Sequence, residues 1–261
     1  MKIALCLSGL ITKGKQGTTS YITGYQHLKN RILDNYDTDV FCHSYEPDME
    51  NIIFDMYKPK KIYFEKGKSF LEFTRHFKKE YQNRSIQSYE TIFSMFYSRK
   101  IALQLKQINE LENSFRYDWV ILARYDINSK YHIEPIVFDV RDKNNNKFCF
   151  AKFNQINAGF QDQWIYSSSE NMDFIGKIYD ELVYIFKPDS NYIKMVTTDW
   201  PISNKYDEFS CEIYKNEYIR AKETRPIKLD EIVNPHYVLK YYFLKNNMFN
   251  LNSFEEIDNR I

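Results

Sequence analysis

Two short apolar runs constrain the fold of this chain more than any other feature. Lys2-Ile3-Ala4-Leu5-Cys6-Leu7 stops at Ser8-Gly9, and Trp119-Val120-Ile121-Leu122-Ala123 runs directly into Arg124-Tyr125-Asp126. Neither run alternates polar with apolar residues, so both faces of each must be covered, which is how a central strand of a helix-flanked parallel sheet reads. Further strands are expected at Thr38 to His43, Lys61 to Glu65, Phe148 to Phe153 and Gln163 to Ser167.

Helical spacing separates these strands. Thr19 or Ser20 is expected to cap a helix through Leu33, with Ile22, Tyr25, Leu28 and Ile32 on its apolar face. A short helical turn is expected from Met49 to Met56, and another helix from Ser169 to Phe186. The clearest helix spans Ser85 to Glu112, where Tyr89, Phe93, Phe96, Tyr97, Ile101, Leu105 and Ile108 recur at three- and four-residue intervals. The β-α-β alternation predicts an α/β fold with a mostly parallel central sheet, whose ligands sit beyond the carboxyl ends of the strands.

The 261 residues suit one domain, 1–261, with 220–261 as a candidate acceptor-side or closing extension. The polar loop at 141–147 is the one candidate boundary. A formal charge of +1 supplies no field that would select nucleic acid or an anionic membrane. Cys6, Cys42, Cys149 and Cys211 show no CxxC pairing, which signals neither zinc nor a disulfide framework and fits a reducing cytoplasm. No apolar run approaches the roughly 18 residues of a transmembrane segment, so a cytoplasmic protein is expected, with a peripheral membrane position left open.

Asp126 lies just past a buried strand, where such a sheet presents ligand-binding groups. Asn128 points the same way if the extended backbone continues. Asp-x-Asn offers a carboxylate and an amide oxygen to a hard cation, Mn²⁺ or Mg²⁺, which keeps water and phosphate as its other ligands. The plainer alternative is that Asp126 caps the strand or pairs with Arg124. Asp162, in Gln161-Asp162-Gln163-Trp164, is a candidate general base, with Trp164 as a ring to stack on a sugar; a turn aspartate is the alternative. His43 ends a strand near the expected ligand edge, and His236 is a candidate late metal ligand, although either is more commonly structural.

A competing motif follows the first strand. Gly9 to Lys15 matches the Gly-x4-Gly-Lys part of a phosphate-binding P-loop, but Gln16 stands where a metal-binding hydroxyl belongs. A loop of residues 8–19 that contacts a nucleotide through its backbone is the broader expectation.

Met1 to Gly9, Asp39-Val40-Phe41-Cys42-His43-Ser44, Phe96-Tyr97-Ser98, Tyr117 to Asp126, and Asp162-Gln163-Trp164 with Ser168 to Asp173 occur in an order that resembles the small GT-A-like glycosyltransferases of bacterial surface-polysaccharide clusters and some large viruses. The resemblance covers residues 1 to about 220. It implies a Rossmann-like nucleotide-sugar fold, with Asp126 at the family's diphosphate and metal aspartate, Arg124 in the accompanying strand and Asp162 near the acceptor; Asn128 departs from the family's Asp-x-Asp. Ser8, Gly9, His43 and Ser98 are further candidate donor contacts, and Asn128 and His236 join Asp126 as candidate ligands of a divalent cation. The implied activity is transfer of a sugar from a nucleoside-diphosphate sugar to a glycan or lipid-linked acceptor in polysaccharide biosynthesis. A P-loop kinase or sulfotransferase, and a non-catalytic carbohydrate-binding protein, remain as alternatives.

Overall fold

The computed structural model describes residues 1–12, 19–79, 81, 87–128, 136–138, 140, 145–151, 160, 162–194, 196, 232–246 and 254–257. Gly14, Lys15, Gln16, Gly17 and Thr18 of the first loop, residues 141–144 of the polar loop and residues 152–159 lie outside them.

Among the described residues, seven strands form one sheet. They are β1 (Ile3–Ser8), β2 (Thr38–Ser44), β3 (Lys61–Phe64), β4 (Trp119–Arg124), β5 (Phe148–Ala151), β6 (Trp164–Ser167) and β7 (Phe254–Ile257), in the order β3-β2-β1-β4-β6-β5-β7. The pairings β1–β2, β1–β4, β2–β3 and β5–β7 are parallel, while β6 runs antiparallel to both β4 and β5. The architecture is therefore α/β and Rossmann-like with a mostly parallel sheet, and β6 is the one reversed strand among the described residues. Residues 254–257 pair with β5, so part of the C-terminal segment belongs to this sheet.

The runs without alternation are buried on both faces. Ala4, Cys6, Phe41, Val120 and Leu122 face one apolar layer, while Leu5, Leu7, Val40, Cys42, Ile121 and Ala123 face the other. The second layer holds α1 (Ser20–Leu28), continued by a π-helical turn at Lys29–Leu33, and α2 (Glu50–Tyr57). Thr19 makes no capping bond with its side chain, contrary to one of the two expected caps. Gly24 in α1 is a close approach: a Cβ there would lie 1.9 Å from the Tyr125 carbonyl oxygen. Only glycine lets α1 rest against the turn that carries Asp126.

The first layer is organised by a 25-residue helix. After the short α3 (Leu71–Thr74), α4 (Tyr89–Asn113) starts at Ser88, whose side chain accepts from the Thr91 amide, and ends at Ser114 in the left-handed region. Its first half buries Tyr89, Phe93 and Phe96 as expected. Its second half departs from the expected stripe, since Ile108 is 44% exposed while Lys106 is fully buried. Lys106 donates to Glu110 at 3.0 Å, Ser169 at 2.7 Å and Asp173 at 2.5 Å, so a satisfied ionic network fixes α4 against α5 (Ser169–Gly176). The expected helix from Ser169 breaks near Lys177 and resumes as α6 (Ile178–Ile185). α7 (Asn191–Lys194) and α8 (Pro235–Lys245) follow, and α8 contributes Val238, Leu239, Tyr242 and Phe243 to this layer.

Candidate active site

Parallel register places the ends of three strands side by side. Ser8 is level with His43 on β2 and with Arg124 on β4, and each lies two residues beyond a side chain that faces α4. The reversed β6 begins at the same edge, because Ala123 is level with Trp164. That puts Asp162, two residues earlier, beside the carboxyl ends of β1 and β4. The edge is the ligand-binding position of an open α/β sheet.

On one side the chain turns sharply after β1. Gly9 has φ +107°, a conformation other residues adopt only under strain, and a Cβ built on it would meet nothing within 4 Å among the described residues. Its N–H donates to Ser98 Oγ on α4 at 2.9 Å. Ser98 Oγ is 2.7 Å from His43 Nδ1, and His43 Nε2 is 3.3 Å from Glu65 Oε1. Burial lowers the His43 pKa to about 4 despite the Glu65 carboxylate, so the ring is neutral at pH 7. Burial raises the Glu65 pKa, but bonds from Lys68 and His43 outweigh it and hold the carboxyl below its ordinary range. Two residues past Gly9, a second carboxylate grips the backbone. Glu46 accepts from the Ile11 amide at 2.8 Å, from the Thr12 amide at 3.0 Å and from the Thr12 hydroxyl.

The other side is built from ion pairs. Arg124 Nε and Nη2 donate to Asp126 Oδ1 and Oδ2 at 2.8 and 2.7 Å, a bidentate pair that engages both carboxylate oxygens. Asp126 is buried, whereas the Arg124 side chain is 35% exposed. Next to this pair, Arg99 Nη2 donates to Asp162 Oδ2 at 2.8 Å and to the Asp162 carbonyl oxygen. Arg99 is 3% exposed, and its Nη1 has no hydrogen-bond partner among the described residues. His236 Nδ1 lies 3.6 Å from Asp162 Oδ1 and donates to the Phe160 carbonyl oxygen at 2.6 Å. Burial favours the protonated Asp162, but His236, Arg99 and Arg124 outweigh it and hold its carboxyl below the usual range.

Eight of the nine expected site residues, Ser8, Gly9, His43, Ser98, Arg124, Asp126, Asp162 and His236, therefore gather at this edge. Asn128 does not join them. Extended backbone ends at Arg124, residues 125–128 form a turn, and Asn128 is exposed in the left-handed region with φ 57°. The period-two reading of Asp126 and Asn128 fails there, and asparagine's tolerance of that conformation is the physical reason. Trp164 is 1% exposed and stacked on Tyr166, so it offers no face to a sugar.

The arrangement does not fit a preformed Mn²⁺ or Mg²⁺ site. Both Asp126 oxygens are engaged by Arg124, Asn128 is exposed in the left-handed region at the end of the 125–128 turn, and His236 Nδ1 is committed to a carbonyl. Among the described residues no group of three or more His, Cys, Asp or Glu side chains is placed to hold a metal. The P-loop alternative also loses ground, because the Ile11 and Thr12 amides that would cradle a phosphate are taken by the Glu46 carboxylate; Gly14 and Lys15 lie outside the described residues.

Sequence reasoning missed Glu46, Glu65 and Arg99. Arg99 directly follows Ser98, and a charged residue flanking the Phe-Tyr-Ser segment was the available signal. Glu46 and Glu65 act across 34 or 35 and 22 residues of chain, and no local pattern marks them.

No protein-family model matches this chain, and no curated protein does. Among solved structures, mouse xyloside xylosyltransferase 1 in its apo form is similar over 98% of this chain and 84% of its own, at 11% identity and a TM-score of 0.43.

Proposed function

We propose that this protein transfers a sugar from a nucleoside-diphosphate sugar to a hydroxyl group of a glycan or lipid-linked acceptor. The observation that carries this reading is the meeting, at one strand edge, of the open Gly9 turn, the Arg124–Asp126 pair and the Arg99–Asp162–His236 cluster. A turn without a side chain allows a diphosphate to approach the backbone closely. Arg124, partly exposed and oriented by Asp126, supplies a planar cation for phosphate oxygens.

In the transfer, the acceptor oxygen forms a bond to the anomeric carbon as the bond from that carbon to the diphosphate breaks. The electron pair leaves with the nucleoside diphosphate, where Arg124 meets the developing charge. The acceptor proton passes to Asp162, which its cationic neighbours keep ionised. Arg99 is buried and acts by holding Asp162. Mn²⁺ or Mg²⁺ has no step here, because both Asp126 oxygens are already occupied by Arg124 Nε and Nη2. No helix among the described residues is long and apolar enough to cross a membrane.

Incubation with a panel of nucleotide sugars tests the reading, with thermal shift and slow donor hydrolysis measured in Mn²⁺ and in EDTA. Stabilisation and hydrolysis with at least one nucleotide sugar are expected. Stabilisation by ATP or a sulfate donor but by no nucleotide sugar would return the P-loop alternative, and no response to any nucleotide would favour a binding protein.

A further inference from the structure

Ser98, His43 and Glu65 come from three separate elements and make one continuous chain of hydrogen bonds that ends on the Gly9 amide. Its direction follows from the partners. A carboxylate only accepts, so His43 Nε2 carries the ring proton toward Glu65. The neutral ring then leaves Nδ1 as an acceptor for the Ser98 hydroxyl proton, and a lone pair of the same oxygen accepts the Gly9 N–H. Serine within a helix commonly bonds back to its own helix; Ser98 instead reaches across 89 residues of sequence to the loop after β1.

The same residue types form a nucleophile when the serine faces a ligand. Ser98 does not, since it is 0% exposed, as is His43. The open space lies at Gly9, where among the described residues nothing stands within 4 Å of a built Cβ. We propose that Glu65, His43 and Ser98 are positioning residues that fix the Gly9 turn in the conformation it presents to the donor's phosphates, without touching the donor themselves. This rests on the glycosyltransferase reading for the identity of the ligand and on the geometry alone for the relay. The rings of Tyr45, Tyr63 and Tyr97 lie 5.2, 5.8 and 5.9 Å from His43, and Lys68 pairs with Glu65 at 2.7 Å, so these are the titratable groups that surround the imidazole.

The test uses the full chain with UDP, GDP, ADP and CDP as probes, alongside hydrogen exchange at the Gly9 amide, which needs no ligand. Ser98→Ala and His43→Gln each remove a link and should weaken binding of the preferred diphosphate about tenfold, as expected for one lost buried hydrogen bond. The double variant should be little worse than either single one, since both break the same chain. His43→Asn places an acceptor near the position of Nδ1 and should recover most of the affinity. Gly9 amide exchange should accelerate in Ser98→Ala while the melting curve stays cooperative. Wild-type affinity in folded Ser98→Ala and His43→Gln, or unchanged Gly9 exchange, would overturn the relay. If the wild type binds none of the four probes, the glycosyltransferase reading fails on its own, and the exchange measurement still decides the relay.

Discussion

The two sides of the strand edge are held by different physics. The Gly9 side is fixed by a buried hydroxyl, held by a neutral imidazole, and by a carboxylate clamp, the hydroxyl and the clamp both accepting from backbone amides. The Asp126 and Asp162 side is fixed by guanidinium–carboxylate pairs, with Arg124 half-buried and Arg99 fully so. The first side specifies a backbone shape and the second a pattern of charge. Substitutions should separate accordingly, with binding lost by degrees on the Gly9 side and turnover lost steeply on the charged side.

Asp162→Asn should break that comparison hardest. It removes the proposed proton acceptor while Arg99 keeps its bond to the Asp162 carbonyl, so in a variant that still melts cooperatively transfer should fall by about 10² to 10⁴ with donor affinity near wild type. Unchanged turnover at saturating acceptor would leave Asp162 as a structural partner of Arg99.

Next in size is the Arg124 pair. Arg124→Gln combined with Asp126→Asn removes the cation without stranding a buried carboxylate, which alone would destabilise the fold. Transfer should fall about a hundredfold, the scale of losing a main electrostatic group. Steady-state rates with a melting curve check it, and a folded double variant with full activity would show the pair to be structural.

The Gly9 side carries a pH signature at higher pH than the charged side, where the depressed Asp162 carboxyl loses its contribution only below the ordinary carboxylate pKa. His43 stays neutral in the folded protein down to about pH 4, whereas the unfolded chain protonates it near 6.5. The unfolded state binds the extra proton between those values, so the His43 contribution is complete above about pH 6.5 and is lost as pH falls toward 4. The change is on the order of 3 kcal/mol. Urea titrations at pH 7.5, 5.5 and 4 should show a shallower acid loss in His43→Asn; parallel losses in both proteins would contradict a buried neutral imidazole.

Gly24→Ala probes whether the charged side depends on its scaffold. The added methyl would collide with the Tyr125 carbonyl, so α1 must shift from the turn bearing Asp126, at a cost of about 1–3 kcal/mol. Thermal unfolding measures it. A variant as stable as wild type would mean that α1 is not seated as tightly as the geometry requires. Glu65→Gln should be the mildest change, below about threefold in diphosphate affinity, because an amide oxygen can still accept from His43 Nε2.

The strands were legible because burial on both faces writes itself into unbroken apolar runs, and strand ends in an α/β sheet then point to Ser8, His43, Arg124 and Asp126. Strand direction has no periodicity signal, so the reversal of β6 was not legible. Nor was the polar half of α4, where Lys106 is buried by partners 63 and 67 residues away that no local window contains. Asn128 was misread by extending a two-residue period past the strand end. Glu46 and Glu65 reach the site only through tertiary contact.

The central claim is that this edge binds a nucleotide sugar through Arg124 and the Gly9 turn. Calorimetric titration of the wild type with the nucleotide-sugar panel, in EDTA and again in Mn²⁺, tests it most directly. The expected result is saturable binding of at least one nucleotide sugar that persists in EDTA and weakens when Arg124 and Asp126 are replaced together. Binding that appears only with Mn²⁺ would contradict the role given to Arg124, and no binding in either condition would contradict the donor site itself.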